Sequence, residues 1–292
     1  MTLVKYEIFS KVAELNSFTK TAKALNVTQS AVSHAINSLE KEFAFPLFIR
    51  YHSSIKLTDN AERLLIHVRQ MLHQNNLLHE EVNAINGLIK GKVRLGVFSS
   101  VTTTWIPSIM KEMEKRFPHI TIELREGNYA EIESWLMNGE VDSGFVNNIE
   151  QLDTFNIKHL KQDRLLCIVS AQSPFQNEIK LSKEQVEEAA FIMPAFQCYE
   201  DIQIIFKENN IEPAIKYENM SENSVVSMVE NNLGISIMPE MVVPKNVHSI
   251  KAIPLDCDSY RTISLATRKN ASPASKKLSA TIERLVPTMN LS

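Results

Sequence analysis

The chain has 292 residues, 44% of them hydrophobic and 22% charged, a balance normal for a soluble globular protein of two or three domains. No charged-then-apolar leader and no run of about 18 apolar residues appears, so export and membrane insertion are not indicated and a cytoplasmic location is expected. The formal charge of −3 is unevenly spread: residues 1–60 hold seven Lys and Arg against five acids, and the other 24 bases face 29 acids. A weakly basic head on an acidic body suits a nucleic-acid reader that gains charge by assembling. Cys167, Cys198 and Cys257 lack CxxC spacing and are too few for a disulfide scaffold or a zinc cluster.

At the start of the chain, Leu3, Ile8, Phe9 and Val12 give one apolar helical face, and Phe18, Ala22 and Leu25 give a short second helix. Asn26 and Val27 break the pattern. Thr28 then supplies an N-cap hydroxyl for a third helix from Gln29 towards Phe43, whose inward stripe is Val32, Ile36 and Leu39. Small Ala22 and Ala31 are expected where the second and third helices cross. The outward face carries Thr28, Gln29, Ser30, Ser33, His34 and Asn37, short or planar polar groups that reach base edges and phosphates in a major groove. Leu47, Phe48, Ile55 and Leu57 flank a polar turn, which predicts two short strands forming a wing, with Arg50 and Ser53 as further DNA candidates.

This stretch, SFTKTAKALNVTQSAVSHAINSLEKEFAFPLFIRYHSSIKLT at residues 17–58, resembles the winged helix-turn-helix of LysR-type transcriptional regulators. A family signature close to SFTxAAxxLxVSQxAxSxxIxxLExxLGxxLFxRxxxxxxLT matches at most fixed positions. The chain departs from it where members often have Pro at Ser30, Arg at His34 and Gly at Ala44. The resemblance implies double-stranded DNA, a small-molecule effector and RNA polymerase as partners, and a homodimer or homotetramer.

Residues 59–86 contain no Gly or Pro and predict one helix of about 28 residues, capped by Thr58 or Asp59 with Glu62. Leu64, Val68, Met71, Asn75, Leu78, Val82, Ile85 and Ile89 recur at steps of four and three, a heptad seam that favours pairing with another helix. Asn75 is its one polar position and is expected to fix register.

Beyond Gly87 and Gly91 a different pattern begins, with strands alternating with helices. Strands near 93–97, 120–125 and 141–146 enclose helices near 103–117 and 131–138. A second round has strands near 165–169, 191–193, 215–218 and 235–238, with helices opening at Ser182, Glu200 and Ser221. The alternation predicts an α/β class with parallel sheets in two lobes. A last strand at 261–267 and a helix after Pro273 remain. The family resemblance returns them to the first lobe, giving a fold similar to type 2 periplasmic binding proteins. The organisation is thus a winged helix-turn-helix at 1–58, a linker helix at 59–90, and an effector domain at 91–292, with lobe I near 91–162 plus 268–292 and lobe II near 163–267.

Ser99, Ser100, Thr102, Thr103 and Thr104 sit just past the first sensor strand, at the sheet edge where parallel α/β folds bind ligands. One hydroxyl would suffice for a cap, so the excess points to a small carboxylate or similar anion. Asn128, Asn147 and Phe196 fall in loops at the same edge, at positions that line the interlobe cleft in the family. No Arg or Lys is obvious in the first three loops, which leaves amides and hydroxyls to hold the effector. The competing readings are a redox sensor acting through Cys198 and a sensor with no small-molecule effector. Catalysis is not expected: there is no P-loop, GxGxxG, GxSxG or HExxH, and His119, His159 and His248 stand at no triad or ligand spacing. No cofactor and no metal are indicated.

Overall fold

The computed structural model describes residues 3–51, 54–147, 154–195, 197–244 and 248–289. They form two compact units, Met1–Lys90 with Met137–Glu140, and Gly91–Leu136 with Val141–Ser292. Among the described residues no helix is long and apolar enough to cross a membrane.

The first unit opens with α1 (Leu3–Leu15), α2 (Phe18–Ala24) and α3 (Gln29–Phe43). Phe9, Val12, Val32 and Leu39 are fully buried in its core, joined by Tyr6, whereas Leu3 is exposed. Ala22 and Ala35 are the small buried residues of α2 and α3. Ala31, expected at their crossing, is exposed, because it lies a full turn from Ala35 towards the helix start. The starts of α2 and α3 are each closed by a hydroxyl: Ser17 Oγ accepts from Lys20 N at 3.2 Å, and Thr28 Oγ1 from Ala31 N at 3.2 Å. Asn26 takes the left-handed conformation, φ 54°, that turns the chain from α2 into α3. The Glu40 carboxylate accepts from Leu47 N at 2.7 Å and Phe48 N at 3.3 Å, fixing the entry to the antiparallel strands β1 (Phe48–Tyr51) and β2 (Ser54–Leu57).

Ala44 ends α3 in the left-handed region, φ 59°, where a Cβ is strained and glycine is not. Ala44→Gly is therefore expected to stabilise the first unit by about 0.5–1 kcal/mol, the relief exceeding the added freedom of the unfolded chain. Chemical denaturation of the two proteins checks this; a lower midpoint for the glycine variant would refute it.

Helix α4 (Asp59–Ile85) runs 27 residues without a break and is capped by Thr58, whose Oγ1 accepts from Ala61 N at 3.2 Å. Its first turns pack into the head. Ala61, Leu65 and Val68 belong to that core and Leu64 packs against it. Further along, Met71, Leu78, Val82 and Ile85 are exposed.

The second unit has two lobes. In lobe I, β3 (Gly91–Val97) lies parallel to β4 (Ile120–Glu126) and β5 (Ser143–Asn147), with α5 (Ser99–Thr104), α6 (Ile106–Arg116) and α7 (Tyr129–Met137) between them in sequence. The expected first strand of the second round is the end of a far longer one. Strand β6 (Phe155–Ser170) has 16 residues, and its first half is too polar to show the alternation that marks Leu165 onward. That first half pairs antiparallel with β11 (Tyr260–Arg268), itself antiparallel to β5, so the sheet is mixed and not parallel throughout.

The second half of β6 enters lobe II, flanked antiparallel by β9 (Ser236–Pro239) and by β10 (Ile250–Pro254), a strand not expected from the sequence. Strands β7 (Ala190–Pro194) and β8 (Ala214–Met220) pair in parallel, and a bridge from Phe191 to Ile235 ties β7 to the chain entering β9. Helices α8 (Lys183–Glu188), α9 (Gln197–Asn209) and α10 (Glu222–Glu230) complete the lobe, with Ser182 and Ser221 as side-chain caps of α8 and α10. Phe191, Ile202, Val186 and Ile237 are fully buried there. Helix α11 (Pro273–Met289) returns to lobe I, Ser275 Oγ meeting Ser143 Oγ at 3.1 Å and Ser279 Oγ meeting Thr267 Oγ1 at 2.9 Å.

Candidate nucleic-acid interface and effector site

On α3 the buried stripe of Val32, Ala35, Ile36 and Leu39 fixes which face is free. Gln29, Ser30, His34 and Asn37 are exposed and Ser33 is half-buried, so one surface gathers five of the candidate DNA residues. Thr28 is committed to capping, and its Oγ1 also lies 2.9 Å from Ser30 Oγ. Arg50 stands in β1 opposite Ile55, but its side chain and all of Ser53 lie outside the described residues. Between Gln29 and Asn37, helix α3 thus presents polar groups suited to base edges.

The heptad positions divide. Val68 is buried in the head's own core and half-buried Leu64 packs against it, because the start of α4 must be held against the head. Met71, Leu78 and Val82 remain exposed, with Asn75 half-buried beside them.

In the sensor, the hydroxyl cluster is used differently from the expectation. Thr102 Oγ1 donates to Phe98 O, Thr103 Oγ1 to Ser99 O, and Thr104 Oγ1 to Ser100 O, each one turn back along its own helix. Those protons are spent on the main chain, so the threonines have none to offer an anion. Ser99 Oγ donates across the lobes to Glu222 Oε1 at 3.3 Å. Asn128 is a helix cap, its Oδ1 accepting from Glu131 N at 2.8 Å while Glu131 Oε2 accepts from Asn128 N at 2.9 Å. Phe196 lies outside the described residues.

Two of the candidates, Ser100 and Asn147, meet at a network with Tyr129, from the loop that also carries Asn128, and with three charged residues that the sequence did not single out. Arg261, on β11, faces Asp163 in register on β6, and both are buried. Its Nε and Nη2 donate to Asp163 Oδ2 at 3.1 and 2.9 Å, and Nη2 also donates to Ser100 Oγ at 2.8 Å. Its Nη1 donates to Tyr129 OH at 3.0 Å and to Asp201 Oδ2 at 3.4 Å. Tyr129 OH in turn donates to Asp201 Oδ2 at 3.0 Å, and Asn147 Nδ2 to Asp201 Oδ1 at 2.9 Å. Ser100, Tyr129 and Asn147 belong to lobe I, Asp201 to α9 of lobe II, and Asp163 and Arg261 to the strands that join the lobes.

Burial dominates the electrostatics here. It pushes the Asp201 carboxyl up to about 6 against the opposing pull of Arg261, and it raises Asp163 and Tyr129 as well. Glu133 on α7 is raised by burial and by the charge of Glu200 on α9, and burial also raises Glu200. One guanidinium is therefore surrounded by more carboxylates than it neutralises.

Residues 3–62 match the model of the bacterial regulatory helix-turn-helix protein, lysR family, and residues 86–288 match that of the LysR substrate binding domain. The chain belongs to the LysR family. It is 29% identical to the uncharacterized HTH-type transcriptional regulator YvbU of Bacillus subtilis (strain 168), over 94% of this chain and 96% of that one. Full-length OxyR from Pseudomonas aeruginosa, solved as a cysteine-to-aspartate variant, shares its fold, with a TM-score of 0.79 at 19% identity over 98% and 94% of the two chains. Full-length CbnR, solved with its target DNA, also shares it, with a TM-score of 0.65 at 18% identity over 99% and 100%. This LysR-family chain is a transcriptional regulator with an effector-binding domain, and not an enzyme.

Strand parity carried the signal that would have found Arg261 in this LysR-family regulator. Positions 261, 263 and 265 share one side of β11, and Ile263 and Leu265 are fully buried, so an arginine on that side requires internal partners. Of the cysteines, Cys167 is fully buried and its thiol is raised by burial, and Cys257 is raised by burial and by Asp258 and Asp256. Both environments disfavour the thiolate that oxidation needs. The side chain of Cys198 lies outside the described residues.

Proposed function

We propose that this regulator reads a two-part operator with paired α3 helices and is controlled by a small anionic effector that engages Arg261 in the interlobe cleft. The assignment divides the chain into a DNA-reading head at 1–58, a pairing helix at 59–90 and a sensor at 91–292. The surface of exposed Gln29, His34 and Asn37 with half-buried Ser33 supports the first part, and exposed Met71, Leu78 and Val82 support the pairing. RNA polymerase is the further partner that a promoter-bound reader would meet. The observation that carries the control is Arg261 itself, a buried cation touched by residues of both lobes. Ligand exchange at such a point changes how the lobes close and hence how the heads are spaced.

Selection from a pool of random duplexes tests the reading of DNA. The wild type should enrich a motif with two half-sites. Gln29→Ala and Asn37→Ala should each leave the melting temperature unchanged while relaxing base preference at one position per half-site, by about 5- to 150-fold. His34→Arg should instead tighten binding to all duplexes and steepen its salt dependence by about one counterion per head. Enrichment of no motif by the wild type would defeat the assignment.

A further inference from the structure

Arg261 has no free donor to offer. A guanidinium carries five N–H groups, and among the described residues five contacts account for them: two to Asp163, one each to Ser100, Tyr129 and Asp201. An anion reaching Arg261 must replace one of these. Asp163 is fixed, because it lies opposite Arg261 in the β6–β11 ladder and its other oxygen accepts from Met241 N at 3.2 Å. Asp201 is held differently. Among the described residues its side-chain hydrogen bonds cross from lobe II to lobe I or to the joining strand, and its contact to Arg261, at 3.4 Å, is the longest of the five. Any motion that parts the lobes there breaks those contacts.

We infer that Asp201 is a built-in occupant of the anion subsite on Arg261, so that an anionic effector binds by displacing the Asp201 carboxylate, which takes up a proton as it yields. This rests on the effector reading above. The charge balance requires the proton. Before exchange one buried guanidinium serves two carboxylates, and an added anion would bring a third negative group to it, with Lys161 reaching only Asp163. Protonation of Asp201 restores the original balance and gives its carboxyl an O–H to donate to the incoming anion. The described groups facing Asp201 reinforce the cost of keeping it charged: Arg261 on β11 is the one cation among them, Tyr129 on α7 and Asn147 on β5 are neutral, and Glu200 beside it on α9 repels it. Lys161, 4.0 Å from Asp163, serves the other carboxylate. Asp201, already raised to about 6, is ionised at neutral pH and within reach of a proton.

Sodium acetate and sodium benzoate serve as probes, with sodium chloride at equal ionic strength as the control, in calorimetry on the full chain. Both anions stay ionised from pH 6.5 to 8. For the wild type, affinity should fall about tenfold per pH unit across that range, with uptake of one proton seen as a buffer-dependent heat. Asp201→Asn keeps the shape and removes the charge, so it should fold, bind tenfold or more tightly than the wild type at pH 8, and show a flat pH profile. Equal profiles in the two proteins would overturn the role of Asp201 while leaving the anion site standing. Binding of neither probe to either protein, even with the competing carboxylate gone, would overturn the anion site itself and this role with it.

Discussion

Arg261→Met is expected to lower the stability of the sensor by about 3–5 kcal/mol at pH 7.5, the largest effect of any single substitution proposed for this chain. Arg261 is 3% exposed, and its removal leaves buried Asp201 without its cation and buried Asp163 with only Lys161, 4.0 Å away. A methionine fills much of the volume but offers no donor, so both carboxylates either stay charged at high cost or bind protons. The sign of the pH dependence follows. Both acids already have folded-state values raised above those of an unfolded chain, so each destabilises the fold when ionised and ceases to as pH falls through its folded value. Loss of Arg261 raises those values further. The deficit should therefore be greatest above neutrality and shrink towards pH 5, as read from urea denaturation of both proteins at each pH. A midpoint equal to the wild type at pH 7.5 would show that the network contributes no net stability.

The second large effect concerns assembly. Leu78→Glu with Ile85→Glu should convert the protein from an assembly to a chain of 33.2 kDa in sedimentation velocity, without changing the stability of the head. Leu78 is 62% and Ile85 77% exposed, so neither supports the monomer's core, and glutamate is as good a helix former. If these residues face a second α4, four carboxylates are brought into an apolar seam. Operator affinity should then fall by roughly 10²–10⁴-fold, because two linked heads bind with an effective concentration that a single head lacks. Unchanged mass and unchanged DNA affinity would place the pairing surface elsewhere.

What was readable from the sequence depended on how far local pattern decides structure. The head was legible because its caps, apolar stripes and turn residues act within a few positions: Thr28 and Thr58 each close the helix that follows. The strands of the sensor that carry dense apolar runs were equally visible. Strand β6 was half lost because Asn156, Lys158, His159, Lys161 and Gln162 obtain their strand geometry from β11, a partner about a hundred positions away. The effector site suffered in the same way. A run of Ser and Thr looks like a ligand cradle in one dimension, yet whether a hydroxyl faces a cleft or its own helix is settled by rotamer. Arg261 was overlooked because its significance lies in Asp163, Tyr129 and Asp201, none of them near it in sequence.

The course of β11 sets an order on synthesis. Lobe II is built largely from one continuous stretch of chain, whereas β11 lies between β5 and β6 in the lobe I sheet and α11 packs behind it. A growing chain can thus finish lobe II while lobe I still lacks an interior strand, with both neighbours exposing unpaired backbone. During that interval β5 and the first half of β6 are the edges most open to mispairing between nascent chains, and the polar residues of that half of β6 are suited to keep such an edge in solution.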